Sequence, residues 1–375
     1  MRVLLACDKF KGTLTSREVG EALAEGFRSY SDEFEICIFP ASDGGEGLLA
    51  ALQVPLALEF KTVEIQAPHG VRVSSRFGWE PARQRAWIES AQALGLDLIP
   101  LEKRHPLELT SYGLGELLLA ANKLQPHEIL VGLGSSGTVD GGMGLASALG
   151  YRFYDAQGNL LSGAPQDWDL LEKIEPALNP VAFPVIRILA DVRNPLLGEA
   201  GGVRVFSAQK GASAHEIERL EKRIQSWLKL LLPILPAAEH CSRLPGAGAA
   251  GGLGFALAAL TQAILESGAE RVIQESDLEQ AIANADLVIT GEGAYDAQSA
   301  WGKWPQYLIQ TCQKYEKPVC LVTGQTVQLQ DRPEGLRQTL DLVSLNPQCA
   351  VSKRASLQAL HQVGYRLASE WKLDI

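Results

Sequence analysis

The feature that most constrains this chain is the way it opens. Residues 3–6 form a short apolar run that ends at Cys7-Asp8, and a loop, Lys9-Phe10-Lys11-Gly12, follows. Thr15-x-x-Glu18 is a capping box, and Val19, Ala22, Leu23 and Phe27 recur behind it at helical spacing. Residues 35–39 read as a second strand. Strand–helix–strand commits the chain to a parallel sheet covered by helices. The C-terminal part has the same texture. Residues 287–290 read as a strand ending in Gly291-Glu292-Gly293, residues 319–322 as a strand ending in Thr323-Gly324, and residues 340–345 as another. Helical stretches separate them, and a helix over about 356–371 closes the chain. The five strands predict a flavodoxin-like, doubly wound parallel α/β domain.

Between these halves the texture changes. Residues 57–90 alternate, with Phe60, Val63, Ile65, then Val71, Val73, Phe77, then Ala86 and Ile88. That is the pattern of hairpins, not of strand–helix–strand units. A helix over 112–123 and a strand over 128–133 follow, then strands near 186–190 and 203–206. The amphipathic helix expected over 215–232 presents its charged stretch, 216–223, as a solvated face. The simplest organisation is a flavodoxin-like domain of residues 1–50 plus 275–375, with a second α/β domain, 51–274, inserted into it and an active site in the cleft between them.

Composition narrows the partners. Of 375 residues, 44 are acidic and 34 are Lys or Arg, for a formal charge of −10. A net-acidic chain is poorly suited to wrap nucleic acid or an anionic membrane. No apolar run reaches the roughly 18–20 residues that span a bilayer, and the N-terminus lacks a secretory apolar segment. A cytoplasmic protein is expected, and a homo-oligomer is compatible with it. The six cysteines are scattered without a C-x-x-C pair and read as buried, reduced thiols.

Two strings, GLGSSG (132–137) and GAGAAG (246–251), match the dinucleotide fingerprint. The first even has Asp155 about 20 residues on. Two hits in one chain with 36 glycines show how easily the pattern arises. The first also continues into Asp140, whose carboxylate would repel a pyrophosphate. No P-loop string is present. The stronger signal is a set of loops that combine glycine with acid after a strand: Ser42-Asp43-Gly44-Gly45-Glu46-Gly47, Ser135-Ser136-Gly137-Thr138-Val139-Asp140-Gly141-Gly142, and Gly291-Glu292-Gly293-Ala294-Tyr295-Asp296. Successive glycines turn backbone N–H groups toward an anion, and carboxylates beside them hold a cation or accept a proton. Phosphoryl transfer needs that pairing.

The strings themselves carry a resemblance. ACDKFKGTLTS (6–16), PASDGGEG (40–47), TSYGLGEL (110–117), GLGSSGTVDGGMG (132–144), LADVRNPLLG (189–198), FSAQKGA (206–212), PGAGAAGGLG (245–254) and ITGEGAYDAQSAWGKWP (289–305) occur in the order seen in the bacterial-type glycerate kinases, which lack a P-loop. The chain resembles that family over almost its whole length. The resemblance implies transfer of the ATP γ-phosphoryl group to D-glycerate with Mg²⁺, usually giving 2-phosphoglycerate. Departures are Cys7 in place of a common proline, Ser135 and Gly137 in place of glycine and alanine, Ala208 in place of proline, and Ala294 where arginine is common. If that arginine touches an anion in relatives, Lys303, Arg193 or Lys210 would substitute.

Roles follow from chemistry. Glycerate needs a cation for its carboxylate, a base near the reacting hydroxyl, and positive charge at the transferred phosphate. Lys11 is the candidate phosphate or substrate cation. Asp191, at the end of an apolar run, is the candidate base or metal ligand, with Asn194 beside it. Asp43 and Glu46 are candidates for Mg²⁺ or substrate orientation, with Glu292 and Asp296 the alternative metal pair. Asp8, Ser136, Thr138, Asp140 and Gly141 suit phosphate or glycerate hydroxyls. Gln209, Lys210 and Lys303 suit phosphate, and Gly248, Gly251 and Gly252 would let a helix N-terminus face an anion. Trp301 and Trp304 are candidates to stack on adenine or to pack under a loop. Alternative readings are a kinase for another small hydroxy or sugar acid, and a silent protein that only binds glycerate or nucleotide.

Overall fold

The computed structural model describes residues 1–10, 13–295, 304–326 and 335–372. Among these residues the strands are β1 Arg2–Cys7, β2 Glu35–Ile38, β3 Glu59–Gln66, β4 Arg72–Glu80, β5 Arg85–Glu89, β6 Glu128–Gly132, β7 Arg152–Tyr154, β8 Lys173–Glu175, β9 Val185–Leu189, β10 Ile264–Glu266, β11 Leu287–Tyr295, β12 Val319–Thr326 and β13 Leu336–Asp341. The chain divides into two compact units. One comprises Met1–Asp43, Ala50–Leu56 and Ala269–Ile375; the other comprises Gly44–Leu49 and Ala57–Gly268.

The first unit holds a five-stranded sheet of order β2-β1-β11-β12-β13. Every pairing in it is parallel. Counted along this unit alone the order is 2-1-3-4-5, the flavodoxin-like arrangement. The order of winding reverses between β1 and β11, which pair in parallel with Ala6 opposite Thr290 and Cys7 opposite Gly291. The central strands are near-continuous apolar runs because both faces are covered. Val3, Leu5, Leu287, Ile289, Cys320 and Val322 lie in one core cluster with Phe27 and Leu360 of the flanking helices. Helix Ser16–Tyr30 starts at the capping box read from the sequence: Thr15 accepts from the Glu18 N–H, and Glu18 accepts from the Thr15 N–H. The closing helix is Lys353–Lys372.

Two expectations in this unit fail. The stretch 291–295, read as a loop after a strand, continues β11 to Tyr295 in register with β12. The apolar run 340–345 is not one strand. β13 ends at Asp341, whose carboxylate accepts the Ser344 N–H and caps a short helix, Leu342–Leu345. The apolar run crosses a strand–helix boundary that a cap, not hydropathy, sets.

The second unit is built on a six-stranded sheet of order β3-β4-β5-β6-β9-β10. β3, β4 and β5 pair antiparallel, as the alternation over 57–90 suggested; β5, β6, β9 and β10 pair parallel. Trp87, Trp227 and Phe255 are fully buried in its core. β7 and β8 form a separate two-stranded ribbon.

Two expectations change here. The strand read at 203–206 lies inside helix Gly202–Ser207. Val203 and Ser207 are buried while Arg204 and Val205 are exposed, which is helical and not alternating burial. The charged stretch 216–223 is only in part a solvated face of helix Ala214–Leu231. Glu221 and Arg223 are buried, and they pair with Arg204 and Asp169.

All six cysteines are free thiols; five are buried and Cys37 is exposed. Among the described residues no helix is long and apolar enough to cross a membrane.

Candidate active site

In open parallel sheets, ligands bind outside the carboxyl ends of strands, where the winding reverses. In the five-stranded unit that point lies between β1 and β11. β1 delivers Cys7 and Asp8 there, and β11 delivers Gly291 and Glu292. The Asp8 N–H donates to the Gly291 carbonyl at 2.8 Å, which fixes the chain as it leaves the sheet. Asp8 is only 9% exposed, and its Oδ1 accepts the Lys9 backbone N–H at 2.8 Å. The Lys9 ammonium stands 3.8 Å from Asp8 and 3.7 Å from Asp43. Glu292 is buried within β11, opposite Thr323 of β12.

Burial pushes the Asp8 carboxyl up to about 7, the Lys9 ammonium and N–H oppose that, and the charges of Asp43 and Glu292 reinforce it. Two carboxylates therefore flank one lysine, Glu292 adds a further negative charge near Asp8, and one acid is poised near neutrality. Cys7 beside it is buried, and its thiol is pushed up by burial and then by Asp8. Tyr295 is also buried. Its hydroxyl has no hydrogen-bond partner among the described residues, and burial and Glu292 raise it to about 12.

The second unit gathers its acids along the carboxyl edge of β5, β6, β9 and β10. The loop 44–47 crosses that edge in close backbone contact. A Cβ on Gly132 would stand 2.1 Å from the Gly44 carbonyl oxygen, so only glycine fits at the end of β6. Glu89, the last residue of β5, accepts the Leu49 N–H and is also bonded to the Gly47 N–H. Burial raises its carboxyl and those N–H groups hold it down, with Glu46 a further raising charge. Glu46 accepts from the Ser135 hydroxyl, and Ser135 sits at φ +49°. Asp191, two residues past β9, accepts from the Ser267 hydroxyl and the Gly268 N–H through Oδ1, at 2.9 and 2.8 Å.

Asp140 behaves differently from a ligand contact. It is fully buried, and its carboxylate accepts from the Ser111 N–H, the Ser111 hydroxyl, and the Gly142 and Gly144 N–H groups. Burial raises its carboxyl and these donors oppose the rise. It anchors the loop 135–144 from inside. Lys210, 6% exposed, donates to the Ser136 hydroxyl at 3.1 Å and the Thr138 carbonyl at 2.9 Å, so it braces the same loop. The Thr138 hydroxyl is buried without a hydrogen-bond partner among the described residues. Gly141 donates its N–H to the Gly251 carbonyl. Ala250, Gly251 and Gly252 are three consecutive left-handed residues, and a Cβ on Gly251 would meet the Thr138 carbonyl at 2.1 Å. The segment 245–252 is thus a tight turn ahead of a helix, seated on the loop 138–141. Gly248 donates its N–H to the Asn194 carbonyl, and the Asn194 side chain donates to the Ala200 carbonyl. Gln209 and Arg193 are exposed.

Trp304 does not offer a face to adenine. It is fully buried, donates its indole N–H to the Ala6 carbonyl at 2.8 Å and stacks on Phe39. Lys11, Asp296, Trp301 and Lys303 lie outside the described residues. Among the described residues no three His, Cys, Asp or Glu side chains converge as metal ligands.

Sequence reasoning passed over Lys9, Glu89 and Ser111. Glu89 carries the signal that singled out Asp8 and Asp191, an acid ending an apolar strand. Lys9 directly follows such an acid. Nothing local marks Ser111, whose partner is 29 residues away.

The chain is similar to known proteins over nearly its full length. Residues 3–372 match the pattern described as the glycerate kinase family. Glycerate 2-kinase from Escherichia coli K12 is 38% identical over 326 residues, covering 86% of this chain and 85% of that protein. A glycerate kinase from Halalkalibacterium halodurans is 35% identical over 327 residues, with 86% and 85% covered. A crystal structure from Salmonella typhimurium LT2, assigned provisionally as glycerate kinase 2, is 33% identical and superposes with a TM-score of 0.75 over 100% of this chain and 99% of that one.

Proposed function

The chain belongs to the glycerate kinase family, and from that premise we propose that it transfers the γ-phosphoryl group of ATP to a hydroxyl of D-glycerate, giving 2-phosphoglycerate. The observation that carries this reading is a family match over residues 3–372, with the glycine–acid loops 42–47 and 135–142 following parallel strands and the third stretch, 291–295, forming the end of β11. The carboxyl end of a parallel strand is where an α/β sheet offers a ligand backbone N–H groups and strand-end side chains together.

Phosphoryl transfer asks the protein for positioning and charge rather than for covalent chemistry. In this reading the loop 135–142 offers the Thr138 hydroxyl and its backbone to an anion, while Asp140 and Lys210 hold the loop in shape. Gly248, Gly251 and Gly252 let the turn at 245–252 seat closely on it. Asp191 is held in one orientation through Oδ1 and serves substrate hydroxyls, as does Glu46. Lys9 supplies positive charge for a carboxylate or phosphate at the end of β1. Asp43 and Glu292 set the field around that lysine.

The described residues do not form a magnesium cage of their own, since no three donors converge and the Lys9 ammonium stands between Asp8 and Asp43. Mg²⁺ in kinases is commonly held by substrate phosphates with one or two carboxylates, and it neutralises developing phosphate charge. We propose that here it enters with the nucleotide.

The test is a coupled assay with ATP, Mg²⁺ and D-glycerate. ADP release with product consumed directly by enolase is the expected result. A requirement for phosphoglycerate mutase would move the acceptor to the 3-hydroxyl. Release of ADP only with another hydroxy acid would replace the substrate, and absence of turnover with every acid tested would contradict the reading.

A further inference from the structure

We propose that Asp8 is the proton acceptor of the transfer: its carboxylate takes the proton of the attacking hydroxyl at the carboxyl end of β1, with Lys9 and Asp43 as the charges that tune it. The proposal rests on the glycerate kinase reading and assigns one step of it. The acceptor oxygen forms a bond to the γ-phosphorus, and the bond from that phosphorus to the β–γ bridging oxygen breaks. ADP carries away that electron pair, and the hydroxyl proton passes to Asp8 and later to solvent.

Geometry separates Asp8 from Asp140, Glu89 and the half-buried Asp191. Asp140 spends its carboxylate on four protein donors, and Glu89 spends its own on the N–H groups of the 47–49 turn. Both are loop anchors. Asp191 is tied through one oxygen to Ser267 and Gly268. Asp8 instead stands at the reversal point of the five-stranded sheet, is almost enclosed, and faces charges. These are Lys9 from its own loop, Asp43 from the segment after β2, and Glu292 from β11; Cys7 lies next to it in β1. A base is most effective when it titrates near the working pH, and burial with two neighbouring carboxylates places this one there.

The charges also make the assignment breakable, because they pull in opposite directions. Lys9 holds the Asp8 carboxyl down, and Asp43 pushes it up. The experiment is kcat/KM for D-glycerate against pH, from about 5.5 to 9, with Mg²⁺–ATP saturating. With Mg²⁺–ATP saturating, the kcat/KM profile reports groups of the enzyme–nucleotide complex. The wild type is expected to lose activity toward low pH along a single-proton limb. Asp8→Asn should lose about 100-fold or more at pH 8, the scale of general-base catalysis, keep its KM for ATP, and show no such limb. Lys9→Met should move the limb to higher pH, and Asp43→Asn should move it to lower pH. A purely structural Asp8 would move neither. An unmoved limb in both neighbours, or a limb that survives Asp8→Asn and vanishes in Asp191→Asn, overturns the assignment while leaving the kinase reading intact. A wild type inactive on glycerate overturns both.

Discussion

The carboxyl edges of the two sheets carry the same kind of sequence, glycine-rich loops with acids, and use it in opposite ways. On the six-stranded sheet two buried acids, Asp140 and Glu89, turn inward to backbone N–H groups. Asp140 accepts four such bonds or their hydroxyl equivalents, and Glu89 closes the 47–49 turn. On the five-stranded sheet the acids face other charges: Asp8 and Asp43 flank the Lys9 ammonium, with Glu292 on the neighbouring strand. A buried carboxylate stabilises a fold when donors compensate its lost hydration, and it costs stability when like charges surround it. The first edge is thus built for rigidity. The second keeps a charge near its titration point, the state a proton-transfer group needs, and the fold carries that cost elsewhere.

Substitutions that exchange these roles break the comparison. The largest effect is expected at Asp140. Asp140→Asn puts an amide where the carboxylate accepted from Ser111, Gly142 and Gly144, and at least one buried donor then faces another. A loss of about 3 kcal/mol is expected from chemical denaturation, since unsatisfied buried donors cost roughly 1–3 kcal/mol each. Stability unchanged within error would mean that the loop does not depend on this anchor. Next comes Lys210→Met, which leaves the Ser136 hydroxyl and Thr138 carbonyl without their buried donor. About 1–2 kcal/mol should be lost, together with weaker binding of ATP as the loop relaxes. A full retention of both would remove Lys210 from the account. The smallest effect is expected at Ser135. Ser135→Gly removes the bond to Glu46 but relieves a left-handed backbone at φ +49°. The two terms oppose each other, and the net change should stay within about 0.5 kcal/mol.

How far the sequence carried depended on the range of the physics. The five-strand unit was legible because its strands are buried on both faces and its first helix announces itself with a capping box. The hairpins of 57–90 were legible by alternation. The failures came where a local cap overrode hydropathy, at Asp341, and where β-branched residues sat in a helix, at Val203 and Val205. Strand-end acids were visible as candidates, but their roles were not. Which donors meet a carboxylate is decided by residues far along the chain, such as Ser111 for Asp140 and Ser267 for Asp191. The same distance hid the tuning of Asp8 by Asp43 and Glu292. For Trp304 the sequence left adenine stacking and packing both open, and the structure decides for packing: the indole is buried and donates to the Ala6 carbonyl.

The contrast between the two edges is tested most directly by measuring thermal stability and glycerate kinase activity of Asp8→Asn and Asp140→Asn side by side across pH. The folded-state carboxyl of Asp8 lies near 7 against an ordinary value of 3.8. Folding therefore favours its protonated form, and its ionisation erodes stability as pH rises from about 4 to about 7. The account predicts that Asp8→Asn is inactive yet melts above the wild type at pH 8, with the gain shrinking toward pH 4, while Asp140→Asn melts below the wild type throughout. If Asp8→Asn instead melts below the wild type at pH 8, or keeps wild-type activity there, the division of the two edges into a rigid one and a chemically poised one is wrong.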